Sequence, residues 1–412
     1  MFYIIHPSHR AIAGCTDYYL LSQVGRPVMA DTSSKPRNLG ASLPVPNVQD
    51  LAARPACLDH HVLHRYLRDD DDAPAALSPS STNYAAALAA ASSSVPVVDL
   101  ARLLDPAHAD DEAARLRAAC EDWGFFHVVN HGVPDEVIHD VKEVIKAFFQ
   151  LPLADRQALA QGPAGVEGYG QAFVVSEDQK LDWADMLFLY TQPPEYRSLN
   201  LWPSRPATFR DSLHRYSLAV QRVATHLLAA MARNLGLLDH QDTAAGNGNQ
   251  NQMTAIAAAQ AVRINYYPPC PQAHDRVLGL SPHSDAVGLT LLLQVSPVPG
   301  LQIRRGGAWI PVVPLPGALV ANVGDVIEVL TNGRYKSIEH RAVVNATQER
   351  VSVAAFHSAR FDAGTYGPIQ EIMRPGEAPL YRTIAVEDYV KLVLSNKLQG
   401  KSSAIDAMKI NY

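Results

Sequence analysis

The chain has 412 residues, of which 47% are hydrophobic and 18% are charged. This composition is sufficient for a sizeable core and excludes a wholly disordered chain. The formal net charge of −6 provides no broad basic field, so we expect neither nucleic acid nor a membrane surface as a partner. Four widely separated cysteines without a CxxC pair argue against a disulfide framework. A reducing compartment fits this cysteine pattern, so we expect a cytoplasmic protein; we also expect a monomer, which no sequence feature decides.

The N-terminal quarter of the sequence has the composition of an arm. Residues 1–94 mix Pro, Ser and Ala with acidic residues and a low-complexity stretch, AAALAAASSS, and we expect them to be partly disordered. Met29 begins a stretch that reads like a natural start, which makes residues 1–28 a candidate upstream extension.

Residues 95–240 are predicted to mix helices and strands. Short β-branched or alternating runs predict strands in VPVVDL (95–100) and FFHVVNHG (125–132). Apolar residues at helical spacing predict helices over 99–124, over the stretch PDEVIHDVKEVIKAFFQ, and over 207–236.

The residue pattern changes after a segment rich in Asn, Gln and Gly at 242–260, which we interpret as a surface loop. Residues 261–362 consist of short runs such as AVRINYY, GLTLLLQV and RVSVAAF, separated by Pro, Gly and Asn turns. Such regular short strands predict an antiparallel sandwich or jelly roll. Residues 363–412 are predicted to form a C-terminal helical tail, with an amphipathic helix at 385–398.

Three residues of the strand-rich region suggest a metal site. His283 and Asp285 alternate in SPHSDAVG, which places both side chains on one face of an extended strand. His340, in SIEHRAVVN, begins another predicted strand that a barrel can bring alongside. Two histidines and a carboxylate on one side of a metal form the facial triad of non-haem Fe(II) oxygenases, which leaves coordination positions open.

Two further pairs of alternating residues suggest a site for a keto acid. Arg350 and Ser352 share a strand face ten residues beyond His340, and a guanidinium beside a hydroxyl suits a carboxylate bound bidentately. Asn265 and Tyr267 alternate in RINYYPPCPQ and are placed to hydrogen-bond the keto acid from the opposite wall.

The sequence resembles the plant 2-oxoglutarate/Fe(II)-dependent dioxygenases from about residue 38 to the C-terminus. The matching strings include NYYPPCPQ, GLSPHSDAVGLTLLLQ, NVGDVIEVLTNGRYKSIEHRAVVN and ERVSVAAF in the second half, and EDWGFFHVVNHGV and EGYGQ in the first. LGASLPVPNVQDLA and QKLDWADMLFL make it most similar to the branch with alkaloid O-demethylases and norcoclaurine-synthase-like proteins.

This resemblance implies a mainly β protein, a distorted double-stranded β-helix (jelly roll) flanked by N-terminal and C-terminal helices. It implies Fe(II) on His283, Asp285 and His340, and 2-oxoglutarate on Arg350 and Ser352 with help from Tyr267 and Asn265. Ascorbate would serve as reductant, and Phe356 would stack on an aromatic substrate.

The implied activity is the hydroxylation or O-demethylation of a small specialised metabolite with O2, which yields succinate and CO2. Two alternatives stay open at this point. One is an ascorbate-dependent oxidase of the same fold that does not use 2-oxoglutarate, and the other is a non-catalytic small-molecule-binding protein.

Other patterns receive structural interpretations. We interpret His60, His61 and His64 of HHVLH as part of a solvated arm, and the run from Asp69 to Asp72 as a solvated charged segment, since EF-hand spacing is absent. GVEGYG (165–170) is predicted to be a flexible loop near the substrate entrance. We predict that three further histidines have structural roles or contact the metal ligands without binding the metal themselves; these are His127, His131 and His357.

Overall fold

The computed structural model describes residues 43, 45–54, 60–68, 95–162, 165–171, 174, 179–238, 251–395 and 404–410. The predictions for residues 1–28 and for the acidic run at 69–72 therefore lie outside the described residues. The same holds for the side chains of His60 and His61, whereas His64 is exposed.

The elements of the first half are, in chain order, α1 (Val48–Ala53), α2 (His60–His64), β1 (Val97–Asp99), α3 (Leu100–Leu104), α4 (Ala109–Ala118), β2 (Phe125–Val129), α5 (Asp135–Phe149), α6 (Leu153–Gln157), β3 (Gly168–Gly170), β4 (Asp185–Gln192) and α7 (Phe209–Asn234). Those of the second half are β5 (Ala259–Tyr267), β6 (Leu278–His283), β7 (Leu289–Gln294), β8 (Leu301–Arg305), β9 (Ala308–Pro311), β10 (Leu319–Val323), α8 (Asp325–Leu330), β11 (His340–Val343), β12 (Arg350–Ser358), β13 (Thr365–Tyr366), β14 (Ile384–Ala385) and α9 (Val386–Ser395).

Helices α5 and α7 confirm the helices predicted from apolar spacing. Helix α7 buries Leu213, Val220 and Leu227 at intervals of seven residues, so one stripe of the helix faces the core. Helix α5 packs against α7 and buries Val141 and Phe148. The two helices thus cover one side of the sheet region.

The single helix predicted over 99–124 is interrupted in the structure. Asp99 caps α3 by accepting the backbone N–H of Arg102 at 3.1 Å, and α4 begins only at Ala109. A π-helical turn, Ala119–Trp123, then ends at Gly124, which has φ +63°. A Cβ at Gly124 would lie 2.1 Å from the carbonyl oxygen of Lys336, so both the conformation and the space require glycine.

Two large sheets confirm the jelly roll, and β13 and β14 form a separate two-stranded sheet. The larger has the order β1-β2-β10-β7-β12-β5-β4-β3, and the smaller has the order β6-β11-β8-β9. All pairings within these sheets are antiparallel except that of β1 with β2. One cavity is lined by β5 and β12 of the larger sheet together with β6 and β11 of the smaller, so the sheets enclose a space between them.

Residues before and after the sheets also pack on them. Val48 and Leu51 of α1 and the nearby Tyr66 join a buried cluster that contains Trp183 of the main body. Helix α9 confirms the helix predicted near the C-terminus and packs Tyr389 against Tyr366 of β13. None of the helices described, from α1 to α9, is both long and apolar enough to cross a membrane.

Two predicted loops are wrong in part. Gly168–Gly170, within the predicted flexible loop 165–170, is strand β3, because Tyr169 is buried and the strand pairs with β4. The described part of the predicted loop 242–260 begins at residue 251 and contains a 3-10 turn, Thr254–Ala258, followed by the start of β5. Ile256 and Met253 are fully buried there, so this part belongs to the core.

Candidate active site

His283, Asp285 and His340 lie together in the interior between the sheets. His283 ends β6 and His340 begins β11, and the two are register partners, so strand pairing brings the histidines side by side. Their ring centroids are 4.3 Å apart. Asp285 lies just past the end of β6, and its Oδ1 is 3.5 Å from Nε2 of His283 and 3.6 Å from Nε2 of His340.

Backbone carbonyls determine which ring nitrogens face this cluster. Nδ1 of His283 is 2.8 Å from the carbonyl oxygen of Ser281, and Nδ1 of His340 is 3.1 Å from that of Ile338. A carbonyl can only accept a hydrogen bond, so each Nδ1 carries the proton. In the neutral imidazole, each Nε2 then presents a lone pair to the centre of the cluster, as a metal requires.

The second oxygen of the Asp285 carboxylate is held by two donors. Its Oδ2 accepts hydrogen bonds from the Thr290 hydroxyl at 2.6 Å and from the Asn322 amide at 2.7 Å. Both donors are buried, on β7 and β10 of the larger sheet. These bonds orient the carboxylate so that Oδ1 faces the two histidines.

The protonation states of the cluster also suit a cation. Burial, helped by the neighbouring His283, lowers the pKa of His340 to about 4, although Asp285 opposes this effect. Burial raises the pKa of Asp285, but His340, His283 and the hydrogen bond from Asn322 outweigh it and lower that pKa well below its usual range. At neutral pH the cluster therefore offers a neutral imidazole and a carboxylate.

A divalent transition metal fits this donor set. The three potential ligand atoms lie within 4.8 Å of one another, and all three residues are buried. Among the residues that the structure describes, this is the one group of three or more His, Cys, Asp or Glu side chains with such spacing. Two imidazoles and one carboxylate are the ligands typical of non-haem Fe(II) with open positions.

A small cavity of about 50 Å³ lies beside the cluster and is lined by the two predicted keto-acid pairs. Arg350 and Ser352 of β12 are register partners of Tyr267 and Asn265 of β5, so all four side chains share one interior face. The Arg350 guanidinium lies 5.1 Å from the centre of the Tyr267 ring. It also donates to Gln294 Oε1 at 2.9 Å and to the Ser352 hydroxyl at 3.5 Å. These contacts hold the guanidinium in one orientation.

A larger cavity of about 210 Å³ also borders the cluster. Aromatic residues of β4, β12 and the connections beside them line it, including Phe188, Tyr190, Phe356 and Phe361. Phe188 and Phe356 stack with ring centroids 6.5 Å apart. His283, Asp285 and Phe356 line both cavities, so the cluster lies at their junction.

The other histidines singled out in the sequence do not join the cluster. His127 is buried in β2, and burial lowers its pKa to about 4. His131 accepts the backbone N–H of Val133 through Nδ1. His357 is fully buried, and its Nε2 lies 3.0 Å from the side-chain nitrogen of Gln260.

Three residues of the site were missed in the sequence. Thr290 and Asn322 orient Asp285, and Gln294 holds Arg350. A signal was present, because Asn322 interrupts the apolar strand ALVANV, and a polar residue in such a run needs a partner inside the fold.

Comparisons with known proteins agree with this geometry. The family model "non-haem dioxygenase in morphine synthesis N-terminal" matches residues 95–205, and that of the "2OG-Fe(II) oxygenase superfamily" matches residues 258–359. The second match contains the whole cluster and the residues of the small cavity other than Phe125.

Whole-chain relatives extend the match. The chain is 44% identical to S-norcoclaurine synthase 1 of Coptis japonica, over 90% of this chain and 98% of that protein. It is 42% identical to oxoglutarate-dependent flavonoid 7-O-demethylase 1 of Ocimum basilicum, over 90% and 93%. The crystal structure of JOX2 in complex with 2OG, Fe and JA superposes with a TM-score of 0.74 at 33% identity, covering 90% of this chain and all of that one. The chain therefore belongs to the 2-oxoglutarate- and Fe(II)-dependent oxygenases, which makes it an oxidoreductase that uses Fe(II) and 2-oxoglutarate.

Proposed function

We propose that this chain hydroxylates or O-demethylates a small aromatic metabolite, with 2-oxoglutarate and O2 as co-substrates and succinate and CO2 as co-products. The observation that carries the proposal is the position of the His–Asp–His cluster. It lies between a cavity with a buried arginine and a larger cavity with aromatic walls. A keto acid and an organic substrate can thus approach one metal from two cavities.

In this proposal His283, Asp285 and His340 hold Fe(II), and Arg350 and Ser352 bind the distal carboxylate of 2-oxoglutarate. Arg350 and Ser352 are 2% and 1% exposed, so the carboxylate would be bound away from water, where a charge-assisted hydrogen bond is strong. When bound, Fe(II) and 2-oxoglutarate supply the oxidising chemistry, and ascorbate keeps the iron reduced.

Asn265 and Tyr267 assist from the neighbouring strand. Asn265 is 3% exposed, and its Oδ1 has no hydrogen-bond partner among the described residues. A buried acceptor of this kind carries a cost that a ligand or an ordered water can remove. The Tyr267 ring lies against the Arg350 guanidinium and forms part of the wall of the small cavity.

The protein itself orients the substrate and excludes water. Phe356 lines both cavities, so an aromatic substrate stacked on it would lie close to the cluster. Phe188 stacks on Phe356 and makes this wall of the large cavity apolar. A dry, shaped cavity favours oxidation of the bound substrate over side reactions.

Hydroxylation and O-demethylation need the same arrangement of metal, 2-oxoglutarate and substrate. When the hydroxylated carbon belongs to an O-methyl group, the resulting hemiacetal breaks down to formaldehyde and a phenol. The similarity to a flavonoid 7-O-demethylase supports this outcome for a substrate with an aryl methyl ether.

The test is succinate release from labelled 2-oxoglutarate by the purified protein with Fe(II), ascorbate and a panel of phenolic, flavonoid and alkaloid methyl ethers. We expect succinate and formaldehyde in equal amounts with at least one compound, and none with Asp285→Ala. Substrate oxidation that needs ascorbate but yields no succinate would instead indicate the ascorbate-dependent oxidase. A folded, iron-loaded protein that binds panel compounds without turnover would indicate a binding protein.

A further inference from the structure

Arg263 is a residue of β5 that lies between the two cavities. Side chains alternate along a strand, so Arg263 shares the interior face with Asn265 and Tyr267. Its register partners are Ala354 on β12 and Phe188 on β4. Arg263 lines the small cavity and the large one, as do the metal-cluster residues His283 and Asp285. It therefore lies where the substrate cavity meets the cluster.

The Arg263 guanidinium forms no ion pair in the described part of the chain. No described residue forms a hydrogen bond or an ion pair with its side chain, and its Nε is buried without a partner. Arg263 is half-buried, whereas the strand neighbours on both sides of it are buried, which is consistent with a side chain open only to the cavities. A buried or half-buried cation without a partner is costly for the fold and is typical of a binding site.

The other charged side chains that line the two cavities have partners. Arg350 bonds to Gln294 and Ser352, and Arg341 bonds to Gln302 and lies over the Trp309 ring. Asp285 is the one acid that lines either cavity among the described residues, and it belongs to the metal cluster. The positive charge of Arg263 is thus left for a ligand.

We propose that Arg263 binds a carboxylate group of the substrate, so that the substrate of this oxygenase is an aromatic carboxylic acid. The inference rests on the proposed function for the identity of the large cavity as the substrate site. A guanidinium matches a carboxylate through two parallel hydrogen bonds, and it stays charged at any physiological pH. Phe188 and Phe356 lie next to Arg263 and provide apolar surfaces for the ring of the same molecule.

A second use of Arg263 has to be separated from this one. Arg263 is two residues from Asn265 and four from Tyr267, or about 7 and 14 Å along an extended strand. An arginine side chain could extend toward the small cavity and contact 2-oxoglutarate there. In that case substitution of Arg263 would weaken the binding of 2-oxoglutarate rather than the binding of acids in the large cavity.

The experiment measures equilibrium binding without turnover. The full chain, loaded with Fe(II) and 2-oxoglutarate under anaerobic conditions, is titrated with pairs of aryl acids and their methyl esters, such as 3-phenylpropanoate, 4-methoxycinnamate and 2-naphthylacetate. The variants are Arg263→Met, Arg263→Lys and, as a matched control, Arg222→Met, which removes an exposed arginine of α7. The Kd for 2-oxoglutarate is measured on each variant.

We expect at least one acid to bind the native protein and the Arg222→Met variant 10- to 100-fold more tightly than its ester. Arg263→Met should abolish this preference, Arg263→Lys should retain part of it, and neither should change the Kd for 2-oxoglutarate by more than about twofold. The proposal is overturned if no acid of the panel is preferred over its ester, or if the preference survives in Arg263→Met. It is also overturned if Arg263→Met weakens 2-oxoglutarate binding instead. Because nothing is turned over, a failure of the succinate assay would leave this result unaffected.

Discussion

The two donors on Asp285 allow a quantitative prediction about metal affinity. Thr290→Val removes the hydroxyl that donates to Asp285 Oδ2 at 2.6 Å, while it keeps the shape and β-branching of a buried strand residue. Asn322 still donates to the same oxygen at 2.7 Å. The carboxylate should therefore remain in place but become less well oriented.

The magnitude follows from the strength of hydrogen bonds to charged groups. Such a bond contributes about 1.5–3 kcal/mol, and the remaining donor compensates for part of its loss. A net loss of about 1.4 kcal/mol corresponds to a tenfold weaker Kd for Fe(II). Loss of groups that orient metal ligands typically weakens affinity by about 10- to 100-fold, which includes this value.

The assay is an anaerobic calorimetric titration with Fe(II), and the matched control is Thr331→Val. Thr331 is also buried, but its hydroxyl donates to the backbone carbonyl of Ile327, away from the cluster. We expect the control to reduce the free energy of unfolding without changing the Kd for Fe(II). A folded Thr290→Val protein that binds Fe(II) within twofold of the native value would refute the orienting role of this donor.

Three further predictions concern the co-substrate, the metal ligand and the pH dependence of folding. Arg350→Lys should raise the KM for 2-oxoglutarate about 10- to 100-fold, because a lysine cannot form two parallel bonds to a carboxylate, and unchanged initial-rate kinetics would contradict this. Asp182→Ala should weaken Fe(II) binding several-fold, measured by titration, because it removes the carboxylate that accepts the backbone N–H of Ser281 at 3.0 Å, and the Ser281 carbonyl holds His283. Burial lowers the pKa of His357 to about 4. Between pH 6.5 and 4 the unfolded chain thus binds a proton at His357 that the folded chain excludes, and the contribution of His357 to the free energy of unfolding should fall by about 3 kcal/mol as pH decreases through this window. Urea unfolding at several pH values should show that the free energy of unfolding depends less steeply on pH in His357→Gln than in the native protein.

Several elements of the fold could be predicted because their signals are local. Helix α7 follows from apolar residues that recur with the helical period, and strands such as β12 follow from strict alternation. The loops predicted at 165–170 and 242–260 were wrong in part because glycine and small polar residues also occur where a chain packs tightly. Tyr169 and Ile256 are buried only through contacts with distant elements, and no local pattern reports such contacts.

The sequence by itself determined which residues could form the site. The alternation of His283 with Asp285 and of Arg350 with Ser352 places each pair on one side of a strand, since the side-chain period of a strand is two. Only the tertiary structure decided how these pairs meet, through the register of β6 with β11 and of β5 with β12. It also decided which charged groups have partners. Asn322 and Gln294 contact Asp285 and Arg350 from other strands, whereas Arg263 meets no acid among the described residues. Strand alternation is a local property of the backbone, whereas the pairing of charges depends on strands that are distant in the sequence.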